Sequence, residues 1–360
     1  MPQSNTNRPI IDVRTWPGLS ITTALQMALS VDEALGISDD FVAMARGITP
    51  PLADSITLFL LSNAPAALTE LSSQEQVTDL EPEQFLVWVE GLDAAKLSDC
   101  ASTCHHEESQ QRLEEVRSRK SAEWENPREW FLSMASTKQL EQVRRLLEDP
   151  EALKQLTVEV LESFWKNHFR AVYVQHTADI VRAVEHLSRG ANLTDLPSLL
   201  KRLMGRSIEC SDEWVSFQGQ VLLVPFPFMG PYLLSMMLDD PEPVLVFAFD
   251  ATRAMGLQSV GKAGPDLAKL KALADETRLN ILRFVSESEQ FGGDIVTYLG
   301  ISQPGVSRHL RLLKASGLLA VRQEGTSKFY SLCDAELDAL ADGIRQMKSD
   351  SRDRKKDGTQ

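Results

Sequence analysis

The sequence predicts a mainly α-helical chain with small β-sheets: an N-terminal α+β region, then a C-terminal unit of short helices and a hairpin. Three observations lead there. Apolar residues recur at helical spacing as far as Leu187. Runs rich in β-branched and aromatic residues then appear between Ile208 and Phe249. Between Asp294 and Leu332, two helical segments parted by a glycine run straight into a strand–turn–strand pattern.

In chain order, Ile10 to Trp16 reads as a short strand or extended arm. Leu19 to Leu35 is helical, with Ile21, Leu25, Ala28 and Leu29 on one side. Further helices are expected over 39–46, 51–61 and 82–92, because Pro51 and Pro82 suit a first helical turn, where no N–H is needed. Residues 105–124 are strongly charged, and Glu108–Arg112 and Glu115–Arg119 pair at i,i+4 in the favourable direction, so a solvated helix is expected. Helices follow over 137–147 and 157–187, the second as one continuous rod. Strands are expected over 208–210, 214–217, 220–225 and 244–249. The glycines at 256, 261 and 264 suit a hinge. A last amphipathic helix covers 335–347, with Leu337, Leu340 and Ile344 on one face.

The C-terminal unit is the most specific part. Asp294 to Leu299 forms a short helix that Gly300 ends, since glycine tolerates a left-handed turn. Ser302 is placed to cap the next helix, and Pro304 falls in its first turn. Val306, Leu310 and Leu313 lie at i, i+4 and i+7, so this second helix has one apolar face. Ser307, Arg308, Arg311 and Lys314 lie elsewhere on it. Residues 317–332 then read as a hairpin turned at Gly325, a wing beside a helix-turn-helix.

Charge agrees with this division. The 360-residue chain carries a net charge of −14, yet from Pro265 onward there are 15 Lys and Arg against 14 Asp and Glu, so the N-terminal part holds nearly all the excess acid. Between Ser302 and Tyr330 there are five basic residues and one acid. Such a local field suits a polyanion, because phosphate neutralisation supplies much of the affinity for nucleic acid. The four cysteines are too few and too scattered for a disulfide framework, and no run of ~20 apolar residues suggests a membrane span, so a cytoplasmic protein is expected.

Three blocks, LADETRLNIL from Leu273, LGISQPGVSRHL from Leu299 and LLKASGL from Leu312, resemble the ArsR-type (arsenic-repressor-type) winged-helix regulators of bacteria. The resemblance covers the C-terminal module; more loosely, the remainder resembles the domain that precedes it in long members. It implies a regulatory or sensor domain over 1–256 and a winged helix-turn-helix for DNA binding and dimerisation over 266–347; composition adds a glycine-rich linker over 257–265 and a polar, charged, disordered tail over 348–360. It also implies a homodimer on a near-palindromic double-stranded operator, acting as a repressor. Base readers would be Gln303, Ser307, Arg308 and His309, with Ser302 and Arg311 nearer the phosphates. Val306 and Lys314 complete the helix set, and Arg322 and Lys328 of the wing would hold the backbone.

Metal sensing, common in that family, is not expected of the winged helix. Phe291 and Gly293 stand where metal-sensing relatives carry cysteines. Asp334, Glu336 and Asp338 lack the histidine that a borderline metal wants. The one soft-ligand cluster, Cys100, Cys104, His105 and His106, keeps a metal or redox alternative open, against the plainer reading of an exposed loop. Otherwise no cofactor is expected, and the signal would be a small molecule bound by the N-terminal domain. The aromatic stretch from Val224 to Tyr232 either lines a pocket for it or is simply core. No phosphate-cradling loop, G-x-S-x-G elbow or H-E-x-x-H motif is present, so no enzyme is expected. The alternative from another class is a winged helix that binds a protein partner rather than DNA.

Overall fold

Prolines open several of the N-terminal helices, as their fixed φ and missing N–H favour. The chain is described here by a computed structural model covering residues 9–31, 37–103, 135–189, 196–204, 214, 217–230, 232–238, 242–254, 267–324 and 327–356. After strand β1 (Ile10–Val13) come α1 (Pro17–Leu29), α2 (Asp39–Arg46), α3 (Pro50–Leu61), α4 (Ala64–Gln74), α5 (Pro82–Gly91) and α6 (Ala94–Thr103). Then follow α7 (Thr137–Glu148), α8 (Pro150–Phe164), a π-helical turn (Trp165–Phe169), α9 (Arg170–Arg189) and α10 (Leu196–Met204).

Helix α1 is buried on most sides, which suits its nearly uncharged sequence. The hydroxyls of Ser20 and Thr22 donate to the carbonyls of Trp16 (3.1 Å) and Gly18 (3.2 Å), so its polar side chains cost little to bury. Helix α7 is held by a capping box, in which Ser136 accepts from the Gln139 N–H while the Gln139 side chain accepts from the Ser136 N–H. Helix α10 is not evident from spacing, and neither are α4 and α6. Their buried positions include Ala64, Ala67 and Ala101, and alanine gives little apolar contrast.

The continuous helix expected over 157–187 starts earlier, at Pro150, and is interrupted. The extra residue of the π-turn lets Phe164, Trp165 and Phe169 all face inward; each is at most 2% exposed. Phe164 stacks on Phe169 at 5.4 Å, and Phe169 meets the edge of Phe228 at 5.6 Å. The stretch from Val224 to Tyr232 therefore belongs largely to the core: Phe226 and Phe228 are buried, and Phe228 stacks on Phe41 at 5.1 Å.

Strands β2 (Gln220–Phe226), β3 (Leu233–Leu238) and β4 (Val244–Asp250) join β1 in a sheet of order β1-β2-β4-β3. The β1–β2 and β2–β4 pairs are parallel and β3–β4 antiparallel. Alternate residues of β2 and β4 enter two different cores. Leu222, Val224, Val246 and Ala248 join the helical core, whereas Val221, Leu223, Leu245, Phe247 and Phe249 pack with Leu199, Leu200 and Leu203 of α10. With both faces covered, these strands are apolar throughout rather than alternating. Edge strand β3 was missed because its run LLSMML carries neither alternation nor β-branched residues. Trp214, expected in a strand, is instead helical and packs edge-on against Phe247 at 5.0 Å. Buried Asp250 ends β4, where its carboxylate accepts from Gly230 N–H (2.8 Å) and Thr252 N–H (3.0 Å) and ties the loop carrying Phe228 to short helix α11 (Ala251–Ala254). The expected strand over 208–210, the charged stretch 105–124 and the hinge glycines lie outside the described residues.

A third core draws only on residues after the hinge. The elements of this unit are α12 (Leu267–Leu273), α13 (Glu276–Glu287), β5 (Gln290–Phe291), α14 (Gly292–Leu299), α15 (Gln303–Ala315), β6 (Leu319–Glu324), β7 (Ser327–Leu332) and α16 (Asp334–Lys356). This is a winged helix-turn-helix. Its three-stranded sheet has order β5-β7-β6, all antiparallel; the short β5 was not foreseen. Helix α16 runs to Lys356, so residues 348–356, expected as disordered tail, continue the helix. Among the described residues no single helix is long and apolar enough to cross a membrane; a bent pair, α3 with α4, passes by length and composition and contributes Ile56, Phe59, Leu68 and Leu71 to the core.

Candidate nucleic-acid interface

Gly300 sets the turn between α14 and α15. Its φ is +64°, and its N–H bonds the Val296 carbonyl at 3.0 Å, closing α14 with a left-handed cap. Ser302 then adopts the extended N-cap conformation (φ −60°, ψ 143°). Its hydroxyl makes no capping hydrogen bond, contrary to the expectation from sequence. The side chain is instead exposed at the start of the helix.

Helix α15 divides its residues as the spacing predicts. Val306, Leu310 and Leu313 are at most 2% exposed and join the core with Ile281, Val285 and Ile295. Val306 is thus removed from the set of DNA-contact candidates: a fully buried side chain reaches no base. Ser307 is also turned in, 6% exposed, and its hydroxyl donates to the Gln303 carbonyl at 3.0 Å. Arg308 and Lys314 are exposed, and Arg311 is half-buried. Gln303 opens the helix half-buried, and its Nε2 is buried without a hydrogen-bond partner.

His309 faces inward rather than outward. Its Nδ1 is buried, has no hydrogen-bond partner and lies 3.6 Å from Asp275 Oδ1. Burial pushes the imidazole below the usual histidine range, with Asp275 opposing and Arg278 and Arg308 reinforcing. Asp275 also caps α13, accepting from the Arg278 N–H at 2.9 Å. The Arg278 side chain donates to the carbonyls of Ala272 (2.6 Å) and Lys271 (3.0 Å), so it fixes the α12–α13 corner. The base-reader role expected of His309 gives way to a packing role at the back of α15.

In the wing, Lys328 is half-buried opposite Gln323. Arg322 is engaged on several sides. Its Nη2 donates to Glu289 Oε2 at 2.7 Å and its Nη1 to Glu324 Oε2 at 2.9 Å. The guanidinium carbon lies 4.7 Å above the centre of the Phe329 ring. Glu289, which sequence reasoning did not single out, is held below the usual carboxylate range by that hydrogen bond from Arg322.

The winged-helix positions expected to bear metal ligands in sensing relatives carry no thiol or imidazole here. Phe291 packs at a tilt on Phe329, and a Cβ at Gly293 would meet Phe291 Cε1 at 2.6 Å, so a cysteine there would collide with the ring. Glu336 pairs with Lys269 of α12, and Asp334 and Asp338 are exposed. Among the described residues no group of three or more His, Cys, Asp or Glu is arranged to hold a metal ion. Cys100 is half-buried against the helical core, with Sγ 3.9 Å from the Ala67 carbonyl; Cys104, His105 and His106 lie outside the described residues. On α16, Leu340 is buried and Leu337 packs on the winged-helix core, while Ile344 is 46% exposed.

Comparison with known proteins agrees with this geometry. Residues 275–321 match the family model for bacterial regulatory proteins of the arsR family. The chain is 33% identical over 94 residues to the transcriptional activator HlyU of Vibrio cholerae, spanning 26% of this chain and 87% of that protein. It is 51% identical over 63 residues to the arsenical resistance operon repressor of Escherichia coli K12, spanning 17% of this chain and about half (54%) of that protein. With a probable mercury resistance operon repressor of Streptomyces lividans it shares 37% identity over 81 residues, 22% of this chain and 65% of that one. Among solved structures, an ArsR-like transcriptional regulator from Rhodococcus sp. RHA1 matches with 29% identity over 24% of this chain and 82% of that chain, at a TM-score of 0.23.

Proposed function

The chain belongs to the ArsR family of bacterial regulatory proteins, and on that premise we propose that it is a sequence-specific DNA-binding repressor controlled through its N-terminal region. The observation that carries this reading is the division of α15. One face, Val306, Leu310 and Leu313, is locked in the core, and Arg308 and Lys314 stand exposed away from it. A helix so anchored presents its exposed cations to a groove, with the wing beside it.

Two of the three relatives named above are repressors, which supports repression here, while HlyU is an activator. The division of labour proposed is a regulatory part over 1–256, a hinge over 257–265 and a DNA-binding part from 266 onward. The chain acts as a homodimer through α12 and α16, with Ile344 as an exposed apolar contact. Two-fold symmetry then sets the half-sites about one helical turn, ~34 Å, apart. The signal is a non-metal ligand; the collision at Gly293 and the Glu336–Lys269 pair support that choice within the winged helix.

Selection of bound fragments from genomic DNA with the purified full-length chain tests the reading. Enrichment of a near-palindromic site supports it. Recovery of no site, with and without cell extract supplying the ligand, would favour the protein-interaction alternative.

A further inference from the structure

Arg322 does not point outward along the wing. It starts on β6, and its cross-strand neighbour on β7 is Phe329. From there its guanidinium crosses the Phe329 ring and reaches Glu289, next to Gln290 of β5 on the far side of β7. The side chain therefore lies as a strap across the sheet face. Both oxygens of Glu289 lie within hydrogen-bond distance of it, Oε1 at 3.2 Å from Nε and Oε2 at 2.7 Å from Nη2. Glu324 takes Nη1 from another side.

A guanidinium fork matches one carboxylate or one phosphate in the same bidentate way. A DNA phosphate approaching Arg322 must displace two carboxylates that bring their own negative charge toward the backbone. We propose that Glu289 withholds Arg322 from DNA: it is a positioning residue that keeps the wing arginine off the phosphates, so that the wing adds less to sequence-independent binding than its charge suggests. This rests on the DNA-binding reading above. The consequence for the site is specific: the arginine expected to grip the backbone is internally neutralised, and Glu289 sets that state.

The test is the salt dependence of binding to a random-sequence duplex, measured with full-length wild type, Glu289→Gln, Arg322→Ala and the double variant. Glutamine keeps the length and hydrogen-bonding capacity of Glu289 but removes its charge. With only Glu324 left to compete, Arg322 should add a phosphate contact in Glu289→Gln, steepening the slope of log K against log salt by about 0.9 at full release. The affinity lost between 50 and 200 mM salt then grows by a further ~3.5-fold. Arg322→Ala alone should leave the wild-type slope unchanged, and the double variant should return to it. A gain that survives in the double variant is simple relief of repulsion and overturns the proposal, as does an unchanged slope in Glu289→Gln. So does a shallower slope in Arg322→Ala, because the arginine would then already touch phosphate. Absence of DNA binding by the wild type overturns the DNA-binding reading itself, and this inference with it. Circular dichroism melts of all four proteins identify any variant whose change in slope comes from loss of folding.

Discussion

His309 Nδ1 and Asp275 Oδ1 stand 3.6 Å apart, joining the back of α15 to the N-cap of α13. That contact couples how the DNA-facing helix sits to the charge on one imidazole. Burial lowers the His309 pKa from its ordinary 6.5, so the fold favours the neutral ring. The unfolded chain therefore binds the proton more readily than the folded one. Stability is fully present above the unfolded value and is lost as pH falls through it toward the depressed folded value. Thermal melts should show Tm falling below pH 6.5, and His309→Gln should flatten that part of the profile. Identical profiles for both proteins would remove His309 as the cause.

Exposed Arg308 and half-buried Lys328 should behave differently on DNA. Arg308→Ala is expected to cost about 1–3 kcal/mol on the selected site and to relax the base preference there. Lys328→Ala should weaken selected and random duplexes alike and reduce the salt slope by about 1. Titrations on both duplexes at several salt concentrations check this; an Arg308→Ala loss equal on the selected and the random duplex would mean that Arg308 reads no base.

Leu313 is fully buried between α15 and its neighbours. Leu313→Ala should destabilise the winged helix by roughly 2–5 kcal/mol, through lost transfer energy and the cavity left behind. Denaturant titration followed by a probe placed in this region measures it. A loss below 1 kcal/mol would mean that the site collapses around the gap or is less well packed than its burial implies.

Gly300 offers a cleaner backbone test. A Cβ there meets nothing within 4 Å, yet φ is +64°, so any penalty is conformational rather than steric crowding by neighbours. Gly300→Ala should cost about 1 kcal/mol, and Gly300→Asn less, since asparagine tolerates this region better. Equal stability of all three would contradict a left-handed turn.

Much of the winged helix could be read directly from the chain. Gly300, Pro304 and the Val306/Leu310/Leu313 spacing are local signals, and each acts within one or two turns of itself. The same holds for α2, whose bounds match the spacing residue for residue, and for Pro82 at the head of α5. Local signals were weaker where alanine replaces leucine, as in α4 and α6, or where an edge strand lacks alternation, as in β3.

What the sequence determined by itself was the fold class, the helix-turn-helix with its wing, and the apolar face of α15. These depend on periodicity and on φ preferences, which belong to neighbouring residues. Tertiary structure alone decided which polar residues remain available. His309 sits on the same helix as Arg308 and looks equivalent in the sequence, yet it lies against Asp275 at the head of α13. Arg322 counts as a basic residue in any composition, but Glu289, 33 positions away, pairs with it. The aromatics from Phe226 to Phe228 fit a pocket or a core equally well until the π-turn brings Phe169 against them. In each case the deciding partner is distant along the chain, and only the folded contact reveals which group it satisfies.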